Sequence, residues 1–203
     1  MAVFLEGEEV MATYSAISSV TKAVIRLFDG GFPRGDALGS VTFQPVIGLE
    51  LSEGLIDIVT VFFYRFDINA SGRTARLSQH SDKRRKPPLP LDLFYIITPW
   101  VGNPDRQQRI LGWLLQTIHD NPALPPQFLN ADMEKPSFDD TESVDLVCEP
   151  IKLQDIFTFH DTYKVRFPAS MFLTVKQVRI DSEVDIEEGG LVQTRAFTMG
   201  GIQ

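Results

Sequence analysis

Hydrophobic positions alternate most clearly between residues 89 and 98. Every second residue from Leu89 to Ile97 is apolar, and the intervening positions also become apolar after Asp92. A period of two residues is typical of a β-strand, and apolar side chains on both faces indicate a strand in the interior of a sheet. We therefore expect a central or nearly central strand here.

A helical period follows this strand. Asn103 is a good helix-capping residue, and Pro104 suits the first helical position. Apolar residues then recur at the spacing of one helical face, until Asn121 and Pro122 stop the run: Ile110, Leu111, Leu114, Leu115 and Ile118. The pattern predicts a central helix that begins near Asn103 and ends before Pro122.

An N-terminal helix is predicted over residues 14–28, with its apolar residues on one side and a glycine pair at its end. That apolar side consists of Ile17, Val20, Val24, Leu27 and Phe28. Shorter patterns predict strands over residues 41–46, 56–68, 144–149 and 170–181, and a short helix over residues 153–160.

The strand over residues 56–68 is apolar on both of its predicted faces. Val59, Val61 and Phe63 form one face, and Ile58, Phe62, Tyr64 and Phe66 form the other. A strand that is apolar on both faces requires cover on both sides.

Together, the elements predict an α+β fold, in which a mixed, mainly antiparallel β-sheet is packed by the long N-terminal helix and the central helix. Residues 14–181 are expected to form a single domain, preceded by an N-terminal extension over residues 1–13. Residues 182–203 are acidic and then glycine-rich. They are interpreted either as a disordered tail or as an arm that pairs with the sheet edge of a neighbouring subunit.

Composition narrows the function classes. The chain of 203 residues has a formal net charge of −8 and a pI of about 4.9, which argues against a surface built to hold nucleic acid. One cysteine, Cys148, excludes an internal disulfide, and its apolar neighbourhood indicates a buried structural thiol. No signal peptide or apolar run of membrane-spanning length is evident, so we expect synthesis and assembly in the cytoplasm, without membrane insertion.

One segment is strongly basic although the chain as a whole is acidic. Six basic residues face a single acidic one, Asp82, within residues 73–86: Arg73, Arg76, Lys83, Arg84, Arg85 and Lys86. No aromatic residue interrupts the run for base stacking, so nucleic-acid binding is not favoured. The segment is either a solvated connector or a docking site for an acidic protein surface.

Two His-Asp pairs offer the strongest case for an enzyme. His119-Asp120 and His160-Asp161 each end a predicted helix, and such pairs supply metal ligands in phosphohydrolases. A metal site needs further ligands, and only one other histidine, His80, is present. A histidine in the last turn of a helix also interacts favourably with the helix dipole. No serine lies in a nucleophile elbow and no glycine motif for phosphate binding occurs. We expect no catalytic residue, metal or cofactor.

Five segments in a fixed order carry a resemblance to a known family: VFFYRFDIN, PPLPLDLFYIITPW, ILGWLLQTIHDNPALP, EPIKLQDIFTFHD and SMFLTVKQVRI. Together they resemble the cap, or tube-terminator, proteins of phage-tail-like contractile injection systems, over about residues 14–181. The N-terminal extension and the C-terminal tail depart from the family pattern and inherit no role.

The resemblance implies a tail-terminator-like fold and a structural, non-enzymatic function. Family members close the end of the inner tube as a ring, here expected to have six subunits, and contact the last sheath layer. They thereby stop further polymerisation of tube and sheath. Two alternatives remain: a metal-dependent hydrolase that uses the His-Asp pairs, and an adaptor that binds an acidic partner through residues 73–86.

Overall fold

The computed structural model describes residues 14–35, 38–48, 57–69, 86–131, 136–150, 158, 161 and 168–182. Its elements, in chain order, are α1 (Ala16–Gly31), β1 (Thr42–Val46), β2 (Ile58–Ile68), β3 (Leu89–Trp100), α2 (Pro104–Asp120), β4 (Ala123–Leu124), α3 (Pro126–Leu129), β5 (Val144–Cys148) and β6 (Met171–Ile180). The short helix predicted over residues 153–160, the N-terminal extension and nearly all of the C-terminal tail lie outside the described residues.

The strands form one sheet in the order β1-β2-β3-β6-β5-β4. β1 and β2 run parallel, and the other neighbours are antiparallel. The predicted mixed, mainly antiparallel α+β fold is therefore confirmed. β3 pairs with β2 on one side and β6 on the other, as expected for the most apolar strand of the chain.

The core lies between the sheet and the helices. β3 directs Leu91, Leu93, Tyr95 and Ile97 into it, and all four are buried. The Tyr95 hydroxyl lies 3.0 Å from the Thr21 hydroxyl of α1, which provides a hydrogen-bond partner inside the core. Burial raises the pKa of Tyr95 far above its ordinary value, so this side chain is neutral at any physiological pH.

α2 buries a narrower stripe than its sequence predicts. Ile110, Leu114 and Ile118 are buried and Leu111 packs at the edge of the core, but Leu115 is 47% exposed. The buried residues follow the four-residue spacing of one helical row, and Leu115 lies about 100° around the helix from Leu114. The prediction was wrong for Leu115 alone.

Four aromatic rings join α1, α2 and β1. Phe32 meets Trp113 edge-on with 5.0 Å between ring centroids, and Phe28 stacks on Phe43 at 6.0 Å. Each fully buried aromatic side chain contributes on the order of 1.5–3 kcal/mol through burial. Edge-on and offset pairs add about 0.5–1.5 kcal/mol. This cluster therefore fixes both long helices against the first strand.

A β-bulge in β2 separates the strand into two halves. Phe63 pairs with Tyr95 and Arg65 with Phe94, so Tyr64 is the extra residue. Beyond the bulge, Phe66 pairs with Leu93 and Ile68 with Leu91, which places both on the helix side of the sheet. The expectation that Phe66 shares a face with Phe62 was wrong, because a one-residue insertion exchanges the two faces.

Candidate assembly interface

The His-Asp pair of α2 occupies a helix end. His119 and Asp120 are both exposed in the last turn, where an imidazole faces the negative end of the helix dipole. Of the second pair, Asp161 is exposed and His160 lies outside the described residues. Within the described part of the chain, no group of three or more His, Cys, Asp or Glu side chains could hold a metal ion.

The predicted basic docking segment is mostly outside the described residues. Lys86 is described and exposed, three residues before β3 begins, whereas Arg73, Arg76, Lys83, Arg84 and Arg85 are not described. The segment joins the end of β2 to the start of β3. Its role as a contact site therefore stays a prediction, but its two attachment points are fixed.

Those attachment points define a surface that we call the ribbon tip: Phe66 and Ile68 of β2 and Leu89 of β3. Their side chains are 55%, 49% and 38% exposed, although all three are large and apolar. β1 reaches only as far as Phe62. Among the described residues, no strand pairs with the outer edge of β2 beyond that point. The ribbon tip is thus an apolar surface beside an open strand edge.

On the opposite face of the sheet, charged side chains lie near the bulge. The guanidinium carbon of Arg65 lies 4.1 Å from the centroid of the Phe94 ring, and Arg65 also pairs with Asp67 at 3.0 Å. Further along, Lys176 Nζ lies 2.6 Å from Glu149 Oε1. The hydrogen bond between them lowers the pKa of Glu149 and raises that of Lys176. Both side chains are more than a third exposed, so the pair contributes little to stability.

A shallow depression of about 160 Å³ lies beside β6 and is lined by Phe138, Glu142, Gln177 and Arg179, among others. Glu142 Oε2 accepts a hydrogen bond from the Asp139 backbone N–H at 3.1 Å. Burial nevertheless raises the pKa of Glu142, and the nearby negative charge of Asp181 acts in the same direction. The contact between Glu142 and the Asp139 N–H therefore closes a chain turn.

Cys148 ends β5 in an exposed position, so the expectation of a buried thiol was wrong. Partial desolvation of its sulfur raises the pKa of the thiol. An activated nucleophile needs the opposite shift.

Sequence reasoning missed the ribbon tip. Phe66 and Ile68 belong to a strand whose apolar pattern predicts burial on both faces. They are exposed because the bulge shifts them to the helix side and because β1 ends before it reaches them. A charged residue at every second position, Arg65 and Asp67, was the available signal for a strand end with one solvated face.

No helix in the described part of the chain is both long and apolar enough to cross a membrane.

The family model of the Pvc16 N-terminal domain matches residues 19–194. Two solved structures share the fold. The sheath/tube terminator of the extracellular contractile injection system PVC has a TM-score of 0.59 and 15% identity, over 96% of this chain and 66% of that one. The tube-terminating cap of the anti-feeding prophage has a TM-score of 0.54 and 18% identity, over 90% of this chain and 60% of that one. The chain thus spans less than two thirds of either protein. No curated protein matches the sequence significantly.

Proposed function

We propose that this chain, which belongs to the Pvc16 N-terminal domain family, is a structural cap that closes the inner tube and sheath of a contractile injection system and stops their polymerisation. The family match over residues 19–194 is the observation that carries the proposal. The fold agrees with it, since a terminator and a cap of two such particles share this architecture.

A cap of this kind works as a ring, and we propose six subunits. A closed ring uses one surface of each subunit against a different surface of the next. The described part of the sheet has unlike edges that suit this purpose: the edge of β2 at the ribbon tip, which no described strand pairs with, and on the opposite side the two-residue strand β4. Each subunit contact should bury on the order of 1,600 Å² in total.

The cap would bind the terminal ring of the tube on one side and the last sheath layer on the other. Rigidity supports this role, because a terminator must present a fixed surface to a polymer end. The aromatic cluster and the central strand β3 supply that rigidity. The function requires no catalytic residue or cofactor.

Electron microscopy of the purified chain mixed with assembled tubes tests the proposal. The expected image shows a ring at one tube end, with none along the tube wall. Particles assembled without the chain should vary in length and lack a closed end. Normal length and closure without the chain, together with a monomeric protein at high concentration, would disprove the capping role.

We propose that the subunits assemble in the cytoplasm as part of an injection particle. Fractionation of producing cells before lysis, followed by microscopy for capped tubes, tests this. Capped tubes outside intact cells only would contradict it.

A further inference from the structure

Among the described residues, the apolar side chains of the ribbon tip have no covering strand. Phe66 and Ile68 expose about half of their surface on the helix side of β2, next to a strand edge with no neighbour among the described residues. These exposed fractions are those of one chain without neighbouring copies. A strand added at this edge would complete the backbone hydrogen bonds and cover both side chains. A second copy of this chain can supply such a strand.

The segment that follows β6 starts at the same end of the sheet. Ile180 pairs with Leu89, so Ser182 leaves the sheet beside the ribbon tip. The next six residues, 183–188, read EVDIEE and carry four acidic and no basic residues. Acidic and apolar residues alternate along the first four of them, with the period of a β-strand.

The charges on the two sides are complementary. Residues 70–85, tethered to the ribbon tip by β2 and β3, contain five basic residues and one acidic residue. Lys86 adds an exposed positive charge three residues before β3 begins. An acidic strand placed along β2 would lie beside this positive charge, while its own apolar residues face the tip.

We propose that residues 183–188 of a second copy of this chain add as a strand to the outer edge of β2 beyond Phe62. Val184 and Ile186 of that copy would cover Phe66 and Ile68. Six residues in a strand span about 20 Å, which matches the open half of β2. Because the donor segment and the acceptor edge differ, the contact repeats head to tail and can close a ring. The inference rests on the proposed ring for its setting.

Cysteine cross-linking of the full chain tests this pairing, since Cys148 is the only native cysteine. Two variants in a Cys148→Ser background are mixed, one with Ile68→Cys and the other, of different tag size, with Ile186→Cys. Mild oxidation at high protein concentration should give a mixed disulfide dimer. We expect at least tenfold more of it than with Leu115→Cys in place of Ile68→Cys. Leu115 is a matched control, because it is 47% exposed and lies on α2.

Two results would overturn the proposal. One is a mixed dimer no more abundant than the Leu115→Cys control. The other is a doubly substituted chain, Ile68→Cys with Ile186→Cys, that closes only within itself, which would make the occupant the chain's own tail. The experiment uses no tube or sheath, so its failure would leave capping of tubes untouched, and failure to cap would leave the cross-link intact.

A second measurement does not depend on disulfide geometry. Phe66→Ser with Ile68→Ser should raise the dissociation constant of the purified oligomer at least tenfold in sedimentation velocity experiments. Leu115→Ser should leave it unchanged. Equal dissociation constants for the double variant and the native chain would contradict the proposal. Melting temperatures close to the native value show that each variant folds.

Discussion

At the scale of residues, Arg106 holds together segments that are distant in the sequence. From α2 its Nε donates to the Leu38 carbonyl at 2.7 Å, its Nη2 donates to the Ser40 carbonyl at 3.0 Å, and Nη1 pairs with the Asp57 carboxylate. Gly39 lies against it with φ of 68°, and a Cβ there would approach Nη2 to 2.9 Å. Glycine is thus required for both backbone conformation and space.

Arg106→Met should therefore lower the free energy of unfolding by about 1–2 kcal/mol, because it leaves the partly buried Leu38 carbonyl without its donor and removes the contacts with Ser40 and Asp57. Arg109→Met on the same helix is the control. Arg109 pairs with Asp105 at an exposed position, so its loss should cost about 0.5 kcal/mol or less. Urea titration of both variants measures their free energies of unfolding. Equal decreases for the two variants would show that the contacts of Arg106 contribute no more than an exposed ion pair.

Glu142 gives a prediction about pH. Its pKa is raised above 4.5 by burial, so the folded chain holds this proton more tightly than the unfolded chain does. Glu142 therefore reduces stability as the pH rises from about 4.5 through its folded pKa. Glu142→Gln keeps an acceptor for the Asp139 N–H and should remove that decline, so the variant gains stability relative to the native chain between pH 4 and 7. A constant difference across this range in urea titrations would refute it.

At the scale of elements, the start of α2 follows from local chemistry. Asn103 Oδ1 accepts from the N–H groups of Asp105 at 2.9 Å and Arg106 at 3.3 Å, and Pro104 needs no partner because it has no N–H. The predicted beginning and end of α2 are confirmed, since the helix stops at Asp120. Capping depends only on neighbouring residues, which explains why the sequence predicts it well.

Asn103→Ala should cost about 1 kcal/mol of stability, because two N–H groups at the helix start lose their acceptor. Asn103→Ser, which retains a capping oxygen, should stay within a few tenths of a kcal/mol of the native chain. Thermal and urea unfolding measure both. A loss for the serine variant as large as that for alanine would assign the effect to packing of the Asn103 side chain.

At the scale of the whole molecule, charge is unevenly distributed. The net charge is −8, yet residues 73–86, which connect β2 to β3 in the chain, contain six basic residues against one acidic residue. Such a local reversal guides association with an acidic surface and weakens as salt screens it. In the proposed particle this segment is the part of the chain expected to meet an acidic protein surface.

Arg84→Glu with Arg85→Glu should therefore reduce co-sedimentation of the chain with assembled tube and sheath at low salt, and the difference should shrink as the salt concentration rises. Lys22→Glu with Arg109→Glu makes the same change of net charge on the two long helices and serves as the control. Unchanged recovery of the Arg84 and Arg85 variant would remove residues 73–86 from the contact surface.

The sequence by itself determined the elements whose causes are local: the capped helix α2, the apolar strand β3 and the α+β class. It also carried the resemblance that the family match confirms. Only the tertiary structure decided the faces of β2 beyond the bulge, the exposure of Leu115 and Cys148, and the open edge at the ribbon tip. These depend on strand register and on how far neighbouring elements extend. Both are set by contacts between residues far apart in the chain, which a local pattern does not contain.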